Sequence, residues 1–516
     1  MKRFGNIFRH LLIFLMLLLS TSLVWCINNF GNIGLNEIIF TLNMPLKGTA
    51  NSYFLSYFLY AFCPAVILLG VELFAALYKP KHKYSIRFSV FNKVYEISIL
   101  PFQLNLAIWI VIVLIWFGEI ISIANDNFAV FEYVKSQLDS SEFIENMYVD
   151  SGKVNISFPE QKKNLICIYI ESAETSFQDK ANGGLLDNNI IPQMTALAAE
   201  NVSFSHSELI EGATVAPACG WTMSGLVAQT SGLPLKLFKY ESTNGGVDNS
   251  MEKYASFMPG ATAIGELLEK EGYKNIFMAG SDFTFGGRRD YFTQHGNYEI
   301  WDYNTAIALG KIPSDYEEGW GFEDQKLYEF AKEKLTELAA DQQPFNFSML
   351  TVDTHTGGGY VCELCPDLYD SQYANVWACA SNQVCDFIEW IKQQSFYENT
   401  TICITGDHCS MEAGFFEEHE HYERHLGEIE RKVYNVFINA AVQPASMKNR
   451  KFTTMDMYPT ILAAMGAKID GERLGLGTNL FSDVPTLAEK YGYEELFAEL
   501  NKKSRFYDNN ILYPNR

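Results

Sequence analysis

The feature that most constrains this chain is a set of three long apolar runs near its N-terminus. None of the runs contains a charged residue, and they span Leu11–Ile27, Gly48–Val71 and Ile97–Gly118. Each is close to the roughly 20 residues that a helix needs to cross a bilayer. We therefore predict that residues 1–124 are a membrane anchor with three transmembrane helices. A secretory signal peptide is the alternative for the first run, but no small-residue cleavage site occurs there and two further runs follow.

The basic residues around these runs predict the orientation of the chain. Three of them precede the first run and five lie between the second and third runs, namely Lys2, Arg3, Arg9, Lys79, Lys81, Lys83, Arg87 and Lys93. The loop between the first two runs holds only Lys47. Cytoplasmic loops are enriched in Lys and Arg, so the N-terminus and residues 79–96 are expected in the cytoplasm. Three crossings then place everything after about residue 124 outside it.

The rest of the chain is acidic and is predicted to fold as one α/β domain. The net charge is −22 for the whole chain, which argues against a polyanion such as nucleic acid as the partner. From about residue 162 short apolar runs alternate with helical segments, a pattern typical of a mostly parallel sheet covered on both faces. The predicted strands are Asn164–Ile170, Lys274–Met278, Phe345–Val352, Thr400–Ile404 and Val433–Ile438. We expect a linker over residues 125–160 and a catalytic domain over 161–516.

Three of the predicted strands end in unusual polar residues. Glu171-Ser172 follows the first strand, Asp353-Thr354-His355 the third and Gly406-Asp407-His408 the fourth. Taken singly, a carboxylate after a strand is commonly a helix cap or a turn former. Sites in such sheets lie at the carboxyl ends of the strands, so these groups are expected to converge. Asp, Glu and His together are the ligand set of a divalent cation such as manganese, magnesium or zinc.

A hydroxyl group stands at the expected start of a helix in the segment Gly220–Leu226, where Thr222 precedes the sequence LVAQTSG. One interpretation is that Thr222 is simply the N-cap of that helix. The other is that a metal ion acidifies its hydroxyl and makes it a nucleophile.

The chain resembles the lipoteichoic acid synthase and phosphoglycerol transferase family of the alkaline phosphatase and sulfatase superfamily. The motifs IYIESAETSF, CGWTMSGLVAQTSGLPL, GGRRDYF, DTHTGG, GDHCSM and TTMDMYPTILAAMG occur in the order seen in that family. The segment NEIIFTLNMPLKGT before the second run and the closing GERLGLGTNLF are also similar to it. The sequences of these motifs most resemble those of the proteobacterial branch of the family. The resemblance implies a three-layer sandwich with a mostly parallel central sheet.

The resemblance also implies roles for individual residues. The expected single-metal site is formed by Glu171, Thr222, Asp407 and His408, with one divalent ion that is Mn²⁺ in preference to Mg²⁺ or Zn²⁺. Thr222 is the expected nucleophile. Arg289 is expected to bind the phosphate and His355 to exchange protons with the leaving and attacking groups, a role that suits an imidazole. Trp221 is expected to contact the substrate.

The implied reaction moves a glycerophosphate group from phosphatidylglycerol to a periplasmic or cell-surface glycan, at the bacterial inner membrane. The alternatives are a phosphoethanolamine transferase acting on lipid A or another envelope glycan, and a sulfatase or phosphodiesterase. Sulfatases place their nucleophile in a C/S-x-P-x-R context, whereas Cys219-Gly220-Trp221 is followed by neither Pro nor Arg at the required positions.

Two further clusters are left outside this site. Cys362, Cys365, Cys379 and Cys385 fall within 24 residues, and we expect one or two disulfides among them, since the second pair lacks the CxxC spacing of a zinc ribbon. His419, Glu420, His421 and His425 are expected to form a solvated acidic loop, with metal binding as the alternative.

Overall fold

Helices dominate the N-terminal part of the chain, and a mixed α/β fold follows. The structure is a computed structural model that describes residues 2–30, 35, 37–39, 51–77, 84–90, 93–99, 106–236, 256–316, 318–341, 343–417 and 431–514. The first helices are α1 (Lys2–Phe30), α2 (Asn51–Tyr57), a π-helical turn (Phe58–Phe62), α3 (Cys63–Leu77) and α4 (Leu106–Phe128). Within the described residues, three helical stretches are long and apolar enough to cross a membrane: Ile7–Asn29, Tyr53–Phe74 and Val111–Phe128.

The third span differs from its prediction. Ile97 was expected to begin a helix, but Lys93–Ile99 forms strand β2, which pairs antiparallel with β1 (Tyr84–Val90). The sequence Glu96-Ile97-Ser98-Ile99 alternates polar and apolar residues, and this period of two suits a strand rather than a helix. The helix that follows runs past Gly118 to Phe128, about ten residues beyond the predicted end.

The remaining elements build a six-stranded sheet with helices around it. The helices are α5 (Val130–Leu138), α6 (Phe143–Met147), α7 (Pro192–Glu200), α8 (Thr222–Ser231), α9 (Ile264–Lys270), α10 (Arg288–Gln294), α11 (Tyr303–Ala308), α12 (Asp324–Ala340), α13 (Gln372–Lys392), α14 (Ala413–Glu417), α15 (Met457–Ala464) and α16 (Leu487–Asn501). The strands of the sheet are β4 (Asn164–Ile170), β5 (Lys274–Ala279), β6 (Glu299–Trp301), β7 (Phe345–Leu350), β8 (Thr400–Gly406) and β9 (Asn435–Ile438). Short strands β3 (Ile156–Ser157), β10 (Lys468–Ile469), β11 (Arg473–Leu474) and β12 (Gly477–Thr478) lie outside it.

The strand order of this sheet is β6-β5-β7-β4-β8-β9, and every pair is parallel except β8 with β9. The mostly parallel sheet expected from the sequence is therefore present. Strand β4 lies between β7 and β8, with Cys167 opposite Ser348 on one side and Cys403 on the other. The ends of β4, β7 and β8 consequently meet at one edge, which is the arrangement that brings their terminal residues together.

Both faces of the sheet are covered, as a parallel sheet requires. Successive residues of β4 alternate between two cores: Leu165, Cys167 and Tyr169 pack in one, and Ile166, Ile168 and Ile170 in the other. All seven residues of the strand are buried. The near-continuous apolar run NLICIYI follows from this double burial, and the result is a three-layer α/β/α arrangement.

The chain divides into two compact units. One consists of Met1–Gly31 and Ala50–Val130, and the other of Asn32–Thr49 and Phe131–Arg516. The expected linker over 125–160 contains regular elements: α4 continues to Phe128, and β3 pairs with β10 in the second unit. The segment between the first two apolar runs belongs to the second unit too, which a reading by hydropathy alone does not reveal.

Candidate active site

The carboxyl ends of β4 and β8 bring three potential metal ligands to one point. Single ligand atoms of Glu171, Asp407 and His408 all lie within 4.8 Å of one another, and all three residues are buried. The described residues contain one other such group, which consists of three cysteines and lies elsewhere. The site expected from the strand ends is therefore assembled by the fold.

Glu171 directly follows β4, and each of its carboxylate oxygens has a partner. The Oε1 atom lies 3.1 Å from His408 Nε2 and accepts a hydrogen bond from the Ser172 hydroxyl at 3.0 Å. The Oε2 atom accepts a hydrogen bond from Thr222 Oγ1 at 3.1 Å. Ser172 itself has a φ of 62°, in the left-handed region that is costly for a residue other than glycine. Such strain next to a polar cluster is a recurring mark of functional sites.

The side chain of Asp407 is held by backbone groups on one oxygen only. Its Oδ1 atom accepts hydrogen bonds from the backbone N–H groups of Ser172 and His408, both at 2.8 Å. Its Oδ2 atom is buried and has no hydrogen-bond partner among the described residues. It lies 3.5 Å from His408 Nε2 without forming a hydrogen bond. A buried carboxylate oxygen without a hydrogen bond is costly, and it points to a ligand that completes the site.

The tautomer of His408 also suits a metal ligand. Its Nδ1 atom lies 2.7 Å from the carbonyl oxygen of Cys409. Since a carbonyl oxygen only accepts hydrogen bonds, Nδ1 carries a proton, and Nε2 is the ring nitrogen that faces the cluster. A backbone carbonyl that fixes the ring in this way is the usual support of a histidine ligand.

The charges of this cluster are strongly coupled. Burial raises the pKa of Glu171, but the neighbouring His408 outweighs it and holds the pKa below its ordinary range. Burial and the charge of Glu171 raise the pKa of Asp407 to about 8. Burial lowers the pKa of His408, yet Asp407 and Glu171 more than compensate and raise it to about 10. Two acidic side chains are therefore buried beside a single imidazole, and a divalent cation would offset the negative charge of both.

These residues fit a hard or borderline divalent ion. Two carboxylates, one imidazole whose Nε2 faces them and a hydroxyl match the ligand preferences of manganese, magnesium or zinc. No thiolate belongs to the group. The donor set does not distinguish between these three ions.

Thr222 begins helix α8, but it does not cap it. The N-cap is Trp221, whose backbone N–H donates to Ser224 Oγ at 3.0 Å. The Thr222 hydroxyl instead faces the metal ligands: it donates to Glu171 Oε2 and lies 3.5 Å from His408 Nε2. The capping interpretation is therefore wrong for this hydroxyl. Its position at a helix N-terminus favours an anion, since the first backbone N–H groups of a helix are unpaired.

His355 lies in the loop after β7, on the same edge of the sheet. Its Nδ1 atom donates to the Thr356 carbonyl oxygen at 3.3 Å, and its ring centre is 4.7 Å from that of Trp320. Burial lowers its pKa, and Glu171 partly opposes this. The imidazole is thus neutral at pH 7, which a group that accepts a proton requires. Trp320 was not anticipated from the sequence.

The two arginines of the GGRRDYF motif occupy different environments. Arg289 is partly exposed and pairs with the buried Asp302 at 2.5 Å. Arg288 is buried, and the charges of Glu171, Asp282 and Asp407 act on it. Arg288 is thus the buried arginine of the motif, on which the charges of Glu171 and Asp407 act, and Arg289, which the resemblance indicates for the phosphate, is the partly exposed one.

Backbone and aromatic contacts hold Arg288 in place. Its Nε donates to the Phe285 carbonyl at 3.1 Å and its Nη2 to the Asp282 carbonyl at 2.8 Å. The guanidinium carbon lies 5.1 Å from the centre of the Phe283 ring. Its Nη1 has no hydrogen-bond partner among the described residues. The side chain is thus fixed, with a donor left for a ligand.

Trp221 is buried beside the site, in the core on the α8 face of the sheet. Only 7% of its surface is exposed, so it supports the start of α8 more than it offers an open contact surface. The histidine-rich loop with His419, His421 and His425 lies outside the described residues.

The charges of this cluster also act on one acidic residue of the segment between the first two apolar runs. Burial raises the pKa of Glu37 to about 8, His408 lowers it and Glu171 raises it further. Since hydropathy places residue 37 in a short loop between membrane spans, no sequence pattern indicated this.

Comparisons with known proteins identify the family of the chain. The family model described as Sulfatase matches residues 163–467, which is more than half of the chain. The chain is 27% identical over 336 residues to phosphoglycerol transferase I of Xanthomonas campestris pv. campestris, which covers 64% of this chain and 44% of the relative. It is 26% identical over 388 residues to phosphoglycerol transferase I of Escherichia coli, covering 74% and 46%. The matched segment is thus less than half the length of these relatives.

Among solved structures, the lipoteichoic acid synthase LtaP of Listeria monocytogenes is similar with a TM-score of 0.45 and 18% identity, covering 66% of this chain and 80% of its own. The lipooligosaccharide phosphoethanolamine transferase EptA of Neisseria meningitidis has a TM-score of 0.49 and 12% identity, covering 89% and 84%.

Proposed function

The chain belongs to the sulfatase family, and we propose that it is a membrane-anchored, metal-dependent phosphotransferase that moves glycerophosphate from phosphatidylglycerol to a glycan of the cell envelope. The observation that carries this proposal is the hydroxyl of Thr222, which lies at a helix N-terminus against Glu171 and His408 instead of capping the helix. The names of the curated relatives supply the glycerophosphate group and the transfer.

In the proposed first step the Thr222 oxygen attacks the phosphorus of phosphatidylglycerol. A bond forms between the threonine oxygen and phosphorus, and the bond from phosphorus to the diacylglycerol oxygen breaks. His355 takes up the proton that the Thr222 hydroxyl releases and donates it to that leaving oxygen. A divalent ion held by Glu171, Asp407 and His408 would lower the pKa of the threonine hydroxyl and offset the charge of the phosphate.

In the second step an acceptor hydroxyl attacks the same phosphorus, and Thr222 leaves. His355 now accepts the acceptor's proton, so its role reverses between the steps. Arg288 binds a phosphate oxygen in both steps, since a charge-assisted hydrogen bond from guanidinium is strong and the Nη1 atom is available for it. Arg289, which pairs with Asp302, is the alternative for this role.

The proposed location is the bacterial inner membrane, with the catalytic unit on the periplasmic side. The distribution of Lys and Arg around the apolar helices supports this orientation. Phosphatidylglycerol is then presented by the same membrane that anchors the enzyme.

The test is intact-mass analysis of the purified full-length protein after incubation with Mn²⁺ and phosphatidylglycerol but without acceptor. We expect the mass to increase by one glycerophosphate group on the wild type, on Thr222, together with released diacylglycerol. The Thr222→Ala variant should show no increase, and Thr222→Ser, which keeps a hydroxyl, should show a slower one.

Parallel incubations with phosphatidylethanolamine and with a panel of envelope glycans define the donor and acceptor. A phosphate-containing group transferred from phosphatidylethanolamine but not from phosphatidylglycerol would refute the proposed donor. An adduct on Ser224 or Thr214 would keep the reaction class and refute the nucleophile.

A further inference from the structure

Three cysteine thiols converge in the structure, away from the metal ligands. Cys362 and Cys365 lie in the loop between β7 and α13, and Cys379 lies in the second turn of α13. The Sγ atom of Cys362 is 3.7 Å from that of Cys365 and 3.6 Å from that of Cys379. All three sulfurs lie within 4.8 Å of one another. Cys385, the fourth cysteine of this stretch, is not part of the group.

The surroundings of the thiols decide between a metal and a disulfide. A metal held by three cysteines needs three thiolates, whereas a disulfide is neutral. Next to the cluster, Asp324 and Asp353 are buried, and Asp353 Oδ2 accepts a hydrogen bond from the Asp324 backbone at 3.1 Å. A thiolate at Cys362 acts electrostatically on both carboxyl groups. Three thiolates around one divalent ion would still leave one net negative charge beside two buried acids, and this favours the neutral disulfide.

Because the cluster has three thiols, a disulfide between two of them leaves the third sulfur beside that disulfide. Cys362 and Cys379 are buried, while Cys365 is half-buried and more accessible. Cys362 is contacted by both other sulfurs, and their hydrogen bonds lower its pKa, which makes it the strongest candidate for a thiolate. A thiolate in contact with a disulfide exchanges with it.

We propose that Cys379 forms a disulfide with one of the two loop cysteines, Cys362 or Cys365, and that the remaining loop thiol exchanges into this bond. The disulfide forms when two thiols lose two protons and two electrons to a small-molecule disulfide, which is cleaved to two thiols. In the exchange, the free loop thiolate attacks the Cys379 sulfur, a new sulfur–sulfur bond forms and the other loop sulfur leaves as a thiolate. The exchange needs no further oxidant.

This bond would tie the loop that carries His355 to helix α13. The start of the loop is already fixed, since the Tyr360 backbone N–H donates to the Asp353 carbonyl at 2.7 Å and the Gly358 N–H donates to Glu412 at 3.0 Å. The disulfide would add a covalent anchor a few residues further on. The oxidising compartment that supplies the oxidant rests on the proposed orientation, whereas the convergence of the three thiols does not.

The test maps the cysteines of the full-length protein, purified in detergent without reductant and alkylated with iodoacetamide before digestion. Trypsin cannot separate the three residues, because no Lys or Arg lies between Lys334 and Lys392. Cleavage after Glu363 with a glutamate-specific protease separates the two loop cysteines, and chymotryptic cleavage after Tyr373 separates the loop from the helix. We expect Cys379 linked to a loop cysteine and the other loop cysteine alkylated.

Variants make the expectation sharper. Cys362→Ser and Cys365→Ser should each keep a link from Cys379 to the remaining loop cysteine, because either sulfur can serve. Cys379→Ser should lose every link between loop and helix. The matched control is Cys385→Ser, which lies on the same helix outside the cluster and should leave the link unchanged.

Three results would overturn the proposal: alkylation of all three thiols, with or without stoichiometric zinc by elemental analysis; a bond only between Cys362 and Cys365; or loss of the link in Cys385→Ser. Since the mapping needs no substrate, its outcome does not depend on whether the protein transfers glycerophosphate.

Discussion

The two adjacent arginines give the most discriminating prediction about the active site. Arg288 and Arg289 are neighbours in sequence, yet their surroundings differ. Arg288 is buried and the charges of Glu171 and Asp407 act on it, whereas Arg289 is partly exposed and pairs with Asp302. We predict that Arg288→Met lowers the rate of the first transfer step and that Arg289→Met lowers stability instead. The two variants therefore separate a phosphate-binding group from a structural one.

The magnitudes follow from the contacts. Arg288 has one terminal nitrogen, Nη1, left over from its hydrogen bonds to the Asp282 and Phe285 carbonyls. A hydrogen bond to a charged group contributes about 1.5–3 kcal/mol, and about 1.4 kcal/mol is a factor of ten in rate. We thus expect kcat/KM to fall about 10- to 150-fold in Arg288→Met.

Replacing Arg289 removes the ion pair with Asp302, so the cost in stability depends on which partners Asp302 keeps. Asp302 is fully buried and keeps three other hydrogen bonds, from the Phe283 N–H and from the N–H and hydroxyl of Thr305. Because these remain, we expect Arg289→Met to cost about 1 kcal/mol of stability, at the low end for an acceptor that loses a partner. Its kcat/KM per folded molecule should stay within about threefold of wild type, on the order of 0.7 kcal/mol.

The assay follows the release of acyl-labelled diacylglycerol from phosphatidylglycerol in detergent micelles, with the folded fraction determined by thermal unfolding. Arg288→Lys serves as the matched control, since it keeps the charge but loses the planar fork. If Arg289→Met loses activity and Arg288→Met does not, the argument from burial and charge is refuted and Arg289 takes the phosphate-binding role.

Three other predictions concern the metal, the orientation and a buried lysine. Chelation followed by dialysis should abolish transfer and Mn²⁺ should restore it in wild type but not in Glu171→Gln; activity retained without metal would contradict the site. A periplasmic reporter fused after Arg516 should be active, and a cytoplasmic result would mean that the number of crossings is wrong. Burial lowers the pKa of Lys236 to about 8, which Asp508 partly opposes. Since an unfolded lysine keeps its proton until about pH 10.4, the unfolded state binds more protons and wild-type stability should rise between pH 8 and 10. In Lys236→Met this rise should vanish, and two carbonyls that the amine now contacts should each lose a partner, at roughly 1–3 kcal/mol; a thermal unfolding series across this pH range measures both effects.

The sequence predicts those parts of the site that depend on strand ends. Glu171, Asp407 and His408 each follow a buried apolar run, and the parallel order of β4 and β8 brings them together. The sheet itself was predictable for the same reason, because continuous apolar runs such as NLICIYI occur where both faces of a strand are buried.

The parts that the sequence did not predict depend on direction or on distant packing. The motif Arg288-Arg289 contains two identical side chains, and the sequence does not distinguish the first, which the fold buries at the start of α10, from the second, which it leaves partly exposed. Glu37 lies more than 130 residues from Glu171 in the chain, and Trp320 belongs to a loop without a periodic pattern. The start of the third span was misplaced because an alternating strand, Lys93–Ile99, precedes the helix with too few charges to interrupt the apolar run.

Helix α8 packs closely against the chain that follows strand β8, and this contact explains the glycine in the sequence TMSG at residues 222–225. A Cβ atom at Gly225 would lie 2.1 Å from the carbonyl oxygen of Asp407, so any side chain there would push the helix away from the strand end. One turn later, Gln229 Nε2 donates to the Gly406 carbonyl at 2.8 Å. The helix that positions Thr222 is thus packed directly on the backbone that positions Asp407. The Gly225 contact leaves no room for a side chain, and the Gln229 side chain adds a hydrogen bond one turn later. The spacing between Thr222 and Asp407 therefore depends on a glycine that has no side chain to react.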